Sequence, residues 1–152
     1  MIHIDIPIPL PQAVNEAALE KAALAALEHQ SADLDSDLTL VLADDAQLRA
    51  LNRDFLGTDA PTDVLSFPAG ETDPETGARY IGDILLSVER AARQAERSGH
   101  ALMDELQLLV VHGVLHLLGH DHAGAEEKAQ MWAAQAQVLE RLGLGQITVS
   151  EE

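Results

Sequence analysis

The sequence predicts an α+β fold, a small mixed sheet of about four strands packed by helices. Three observations carry that expectation. Four short segments rich in branched aliphatic residues fall before residue 88. The chain beyond that point reads as three helices in succession. A length of 152 residues with 47% apolar content suits one domain with a substantial core. The whole chain, 1–152, is accordingly read as a single domain, with roughly the last ten residues a frayed tail.

The elements follow in order. Ile2, Ile4, Ile6 and Ile8 alternate with His3, Asp5 and Pro7, a period of two that suits a strand, and Pro7 argues for a sheet edge. Pro9 and Pro11 punctuate the start of an alanine-rich helix over 12–29, and 31–37 is a polar loop. L-T-L-V-L at 38–42 reads as a second strand. Ala43-Asp44-Asp45 forms a turn and N-cap that opens a short helix ending near Asn52 or Phe55. Residues 57–68 are a loop running into a short strand at 64–67, and 71–78 is a charged hairpin tip.

A further strand spans 80–86. Gly82 and Asp83 inside it disfavour a strand interior and so imply a close approach or a polar role. Helices over 88–98, 101–118 and 125–142 complete the chain. In the last, Ala129, Trp132, Ala136 and Leu139 recur at helical spacing as core positions. The apolar helix over 101–118 is expected to lie centrally against the sheet, with the acidic, glycine-containing strands turning polar residues toward it.

Composition narrows the chemistry. The chain has no cysteine, which excludes disulfides and thiolate metal sites and suits a cytoplasmic protein. Its N-terminus lacks a basic region followed by a continuous apolar stretch, so no signal peptide is expected. The longest apolar run, near 108–118, contains two histidines, so no membrane span is expected either. A net charge of −17 repels nucleic acid at long range, and a nucleic-acid substrate would need a local basic patch. Arg90, Arg93 and Arg97 lie on one helical stripe that either forms such a patch or balances Glu89 and Glu96.

Function is concentrated in one segment. Four of the seven histidines, His112, His116, His120 and His122, fall within eleven residues, in H-G-V-L-H-L-L-G-H-D-H. His112 and His116 are spaced i, i+4, so their rings project from one helical face and can share a metal. Gly119 stands where a helix C-terminus takes a residue tolerant of left-handed dihedrals, and the turn there could return His122 toward the first two rings. Three imidazoles with a fourth position open to water describe a catalytic zinc site. Inside an apolar helix two imidazoles on one face are costly unless each has a partner, which supports the metal reading over an ordinary core one. His120 points elsewhere if His122 is a ligand, and is read as solvated or supporting.

The spacing also resembles H-E-x-x-H-x-x-G-x-x-H of the metzincin proteases, with His112, His116, Gly119 and His122 in place. The glutamate that serves as the peptidase's general base is here Gly113. The metal geometry is kept and the proton acceptor is lost.

Taken with P-T-D-V-L-S-F-P at 61–68 and I-G-D-I-L-L-S at 81–87, the histidine segment resembles the YbeY family of bacterial rRNA maturation factors. These are metal-dependent endoribonucleases with homologues in organelles, and the resemblance runs in order from Asn52 to His122. It implies an α+β fold with one Zn2+ in a cleft between helices and sheet, held by His112, His116 and His122. It further implies hydrolysis of single-stranded RNA, maturation of the small-subunit (16S) rRNA 3′ end, a part in ribosome quality control, and partners among rRNA, the ribosome and ribosomal proteins. The family commonly shows an arginine, linked to activity, directly before the glycine of Phe55-Leu56-Gly57. Leu56 stands there instead, and Arg53, three residues earlier, is the candidate replacement.

The expected chemistry is metal-assisted phosphodiester hydrolysis. His112, His116 and His122 fix the metal. Asp121 either orients a ligand imidazole or caps the turn after Gly119. Asp83 and Asp63 are candidate general bases by motif position, or else turn and cap residues. Arg53, or a member of the 90–97 stripe, would neutralise the scissile phosphate. Two alternatives stand beside this: a zinc hydrolase or peptidase of other substrate, and a non-enzymatic, zinc-stabilised ribosome-assembly factor whose acidic surface attracts basic ribosomal proteins. Three imidazoles also accept nickel, copper or iron, so the native metal is open.

Overall fold

The computed structural model describes residues 1–121 and 123–147. In chain order the elements are β1 (Ile2–Asp5), α1 (Glu16–His29), β2 (Asp37–Ala43), α2 (Asp45–Leu56), β3 (Val64–Thr72), β4 (Arg79–Ser87), α3 (Val88–Ser98), α4 (Leu102–Leu117) and α5 (Ala125–Arg141). The strands form one sheet in the order β1-β2-β4-β3. β1 pairs with β2 and β2 with β4 in parallel, whereas β3 and β4 form an antiparallel hairpin. Each parallel pair needs a crossover, supplied by α1 in the first case and by α2 with β3 in the second. The expected α+β class and the mixed four-stranded sheet are borne out.

Local chemistry sets the boundaries. Proline punctuation delays α1 until Asn15, whose Oδ1 accepts from the Ala18 N–H at 3.1 Å, so the helix begins at Glu16 and not near residue 12. Asp44 caps α2 in the same way, accepting from the Gln47 N–H at 2.8 Å. β3 is longer than its four-residue expectation and continues through Pro68. The proline is tolerated because β3 is an edge strand and its register with β4 shifts between Pro68 and Glu71.

Strand alternation divides the sheet into two faces. Leu38, Leu40, Leu42, Ile84 and Leu86 join α1, α4 and α5 in the main core. Ala43, Leu65 and Leu85 face the other way and pack with Leu48 of α2. Fully buried leucines of this kind contribute about 1.5–3 kcal/mol each. Asp83 alternates with Ile84, so it lies on the α2 face and not on the face that α4 covers. The expected turning of this strand's aspartate toward the histidine helix is therefore corrected by the two-residue period of the strand.

α4 approaches the sheet closely at two glycines. A Cβ at Gly113 would lie 2.6 Å from Ile84 Cγ2. At Gly82, with φ +145°, it would lie 2.3 Å from the Phe67 carbonyl oxygen and 2.7 Å from Leu117 Cδ2. The close approach expected from a glycine within β4 is thus a contact with both its neighbouring strand and the histidine helix. Beyond α5, Leu144 and Ile147 are partly buried against the core, so the expected tail is docked as far as 147. Residues 148–152 lie outside the described residues.

Candidate metal and substrate cleft

A cleft of about 540 Å³ opens between α4, α5, the end of α2, the 57–63 loop and β3. His112 and His116 line it from α4, with ring centroids 4.8 Å apart and planes at 72°. The i, i+4 spacing thus puts both imidazoles on one wall, as the sequence expected. Trp132 of α5 stands edge-on to the His112 ring at 5.7 Å and also lines the cleft. Beneath them Gln135, 2% exposed, brings Oε1 to 2.8 Å from His112 Nδ1. An amide oxygen only accepts, so Nδ1 carries the proton and the lone pair of His112 resides on Nε2. This is the arrangement that metal-ligating histidines adopt, one ring nitrogen donating to a fixed partner while the other is basic.

α4 ends as the sequence proposed. Gly119 has φ +101°, its N–H bonds to the His116 carbonyl at 3.0 Å, and the His120 N–H bonds to the Leu115 carbonyl at 3.0 Å. These two bonds form the glycine-terminated C-cap that reverses the chain after a helix. The third expected ligand, His122, lies outside the described residues. Among the described residues no group of three or more histidines and carboxylates is placed to hold a metal. His120 turns away to α1, with Nε2 2.7 Å from Gln30 Oε1.

The other sequence candidates separate. Asp63 lines the cleft and accepts from Gln94 Nε2 at 3.4 Å. Asp83 does not line it. It accepts a hydrogen bond from the Tyr80 hydroxyl, which also contacts Thr39 Oγ1 at 2.7 Å, on the opposite sheet face. Burial, then the Asp83 carboxylate, pushes the Tyr80 hydroxyl above its ordinary pKa. Arg53 is exposed and bonded to Asp54 at 2.9 Å, outside the cleft wall, while Leu56 occupies that wall. The reason is helical phase: Asn52 and Leu56 share a face at i, i+4, and Arg53 is a step round the helix. Asp121 is exposed beside a smaller recess with Gly119 and His120. Arg90 and Arg93 reach across to Asp45 of α2, at 3.1 and 3.4 Å.

The cleft also holds residues that sequence reasoning passed over: Glu105, Lys128 and Gln135. Glu105, 2% exposed, bonds to His100 Nε2 at 2.7 Å. On α5 the buried stripe is Met131, Ala134, Gln135, Val138 and Leu139, so the expected stripe through Ala129 and Ala136 is displaced around the helix. A glutamine in phase with Met131 and Val138 was the available signal, since a polar side chain on a buried stripe needs a partner.

The fold and the site define an α+β protein whose cleft, of mixed polar and apolar lining, opens on a helix bearing two paired imidazoles. The family model described as endoribonuclease YbeY matches residues 7–143. An endoribonuclease YbeY of Pelotomaculum thermopropionicum is 44% identical over 138 residues, covering 87% of this chain and 91% of that protein. One from Roseiflexus is 40% identical over 149 residues and covers 93% of each. Among solved structures, the solution structure of TM1509 from Thermotoga maritima is similar, with a TM-score of 0.59, 28% identity, and coverage of 93% of this chain and 89% of that one. The chain belongs to the endoribonuclease YbeY family.

Proposed function

We propose that this chain is a metal-dependent endoribonuclease that cleaves single-stranded RNA, with one zinc ion held by His112, His116 and His122. The observation that carries the reading is the Gln135–His112 hydrogen bond, which fixes the basic nitrogen of one candidate ligand beside a second imidazole. Bound there, the ion would supply Lewis acidity toward a phosphoryl oxygen and acidify water. The protein's own part is positional. Gln135 sets the His112 tautomer, and Trp132 restrains its ring from the side. The Asp63 carboxylate on the cleft wall is the general base in this reading, taking the proton of the attacking water. Asn52, with Nδ2 3.0 Å from the Ala60 carbonyl, holds the loop that carries Asp63 against α2.

The physiological substrate in this reading is the 3′ end of small-subunit rRNA, with ribosome quality control as the setting, the ribosome or its proteins as partners and the cytoplasm as the compartment. No described helix is long and apolar enough to cross a membrane. A peptidase reading is weakened by Gly113. Any side chain there would meet Ile84 and the sheet, so the position cannot present a general base to the cleft.

Elemental analysis of the purified protein, with cleavage of unstructured RNA and of casein before and after chelation, tests the proposal. One bound metal ion per chain, chelator-sensitive RNA cleavage and intact casein are expected. His116→Ala should lose both metal and activity. If that variant cleaves RNA at the wild-type rate without metal, the mechanism is wrong.

A further inference from the structure

Among the described residues lining the cleft, Lys128 is the only lysine or arginine. It sits at the end of the first turn of α5, four residues before Trp132, and its ammonium lies over the indole, 5.5 Å from the ring centroid. That separation is within cation–π range, so the side chain is steadied along the wall by the ring that flanks His112. The surroundings are otherwise hostile to a polyanion. Asp63 and Glu105 line the same cleft, and the chain carries a net charge of −17. Of the cations that sequence spacing offered, Arg53 is bonded to Asp54, and Arg90 and Arg93 to Asp45, and neither they nor Arg97 line the cleft.

We propose that Lys128 contacts a non-bridging oxygen of the RNA phosphodiester in the cleft, supplying from α5 the positive charge that the end of α2, with Leu56 on the wall, does not. The assignment rests on the endoribonuclease reading above. An ammonium held over the ring that flanks His112 neutralises charge on the cleft wall, and from its half-buried position that interaction is screened less than on an open surface.

The test compares metal-loaded wild type, Lys128→Met and Lys128→Arg on a short unstructured oligoribonucleotide, with kcat/KM measured across a potassium chloride series. Methionine keeps the apolar stem over Trp132 and removes the charge. The expected result is a loss in kcat/KM of about tenfold to a hundredfold for Lys128→Met, and substantial recovery in Lys128→Arg. The slope of log kcat/KM against log salt should flatten by about 0.7 in Lys128→Met, the value for one lost contact to a single strand. Wild-type kcat/KM and slope in Lys128→Met overturn the assignment while leaving the nuclease reading intact. A loss with unchanged slope also overturns it, and makes Lys128 a prop for Trp132. A wild-type protein that does not cleave RNA overturns both readings.

Discussion

Gln135 Oε1 accepts a hydrogen bond from His112 Nδ1 at 2.8 Å, so a buried side chain of α5 decides which nitrogen of an α4 imidazole bears the proton. Gln135→Leu removes that acceptor while keeping the volume of the core. Zinc affinity should fall about 10- to 100-fold, read by competition with a chromophoric chelator. Stability of the metal-free protein should fall by about 1–3 kcal/mol in urea unfolding, because the Nδ1–H is left unsatisfied. Unchanged zinc affinity would show that the tautomer is set by something else.

Gly113 is required by packing. Gly113→Ala places a methyl 2.6 Å from Ile84 Cγ2, so the helix or the sheet must shift. A destabilisation of about 1–3 kcal/mol is expected from overpacking. In Gly113→Ala with Ile84→Ala the second change makes room for the first. The double variant should therefore be more stable than the sum of the two single effects predicts, and strict additivity would remove the steric explanation.

Asp45 governs part of the acid limb of stability. The Arg90 guanidinium, bonded to Asp45 at 3.1 Å, holds its carboxyl below the ordinary value of 3.8, with Ser87 and Arg93 adding to the effect. A depressed carboxylate stabilises the fold above its unfolded pKa, and the contribution is lost as pH falls through the folded one. Wild type should exceed Asp45→Asn in stability at neutral pH, with the gap closing below about pH 4. Urea midpoints across that range check it, and a gap that persists at lower pH contradicts the pairing.

Asp83 lies on the sheet face opposite α4, bonded to Tyr80. Asp83→Asn should leave zinc content and kcat for RNA unchanged, whereas Asp63→Asn, within the cleft, should lower kcat. A dead Asp83→Asn protein that still melts at the wild-type temperature would put this carboxylate in the chemistry after all.

Reading the chain alone located most elements and the pair of histidines that lines the cleft, because both signals are local. Period-two alternation gave the strands and i, i+4 spacing gave the shared imidazole wall, while Gly119 announced the turn after α4. Boundaries at α1 and β3 moved with capping at Asn15 and with the tolerance of an edge strand for Pro68.

What the sequence by itself determined was therefore the α+β class, the histidine helix and its glycine stop, since each depends on neighbours a few residues apart. Only the tertiary structure decided what surrounds that helix. It decided that α4 covers the sheet face away from Asp83, that Asp63 and not Arg53 stands on the cleft wall, and that Gln135, Lys128 and Trp132 reach across from another helix. Those outcomes depend on helical phase and on which sheet face each element covers. Both are settled by packing between segments distant in sequence, where no local spacing rule reaches.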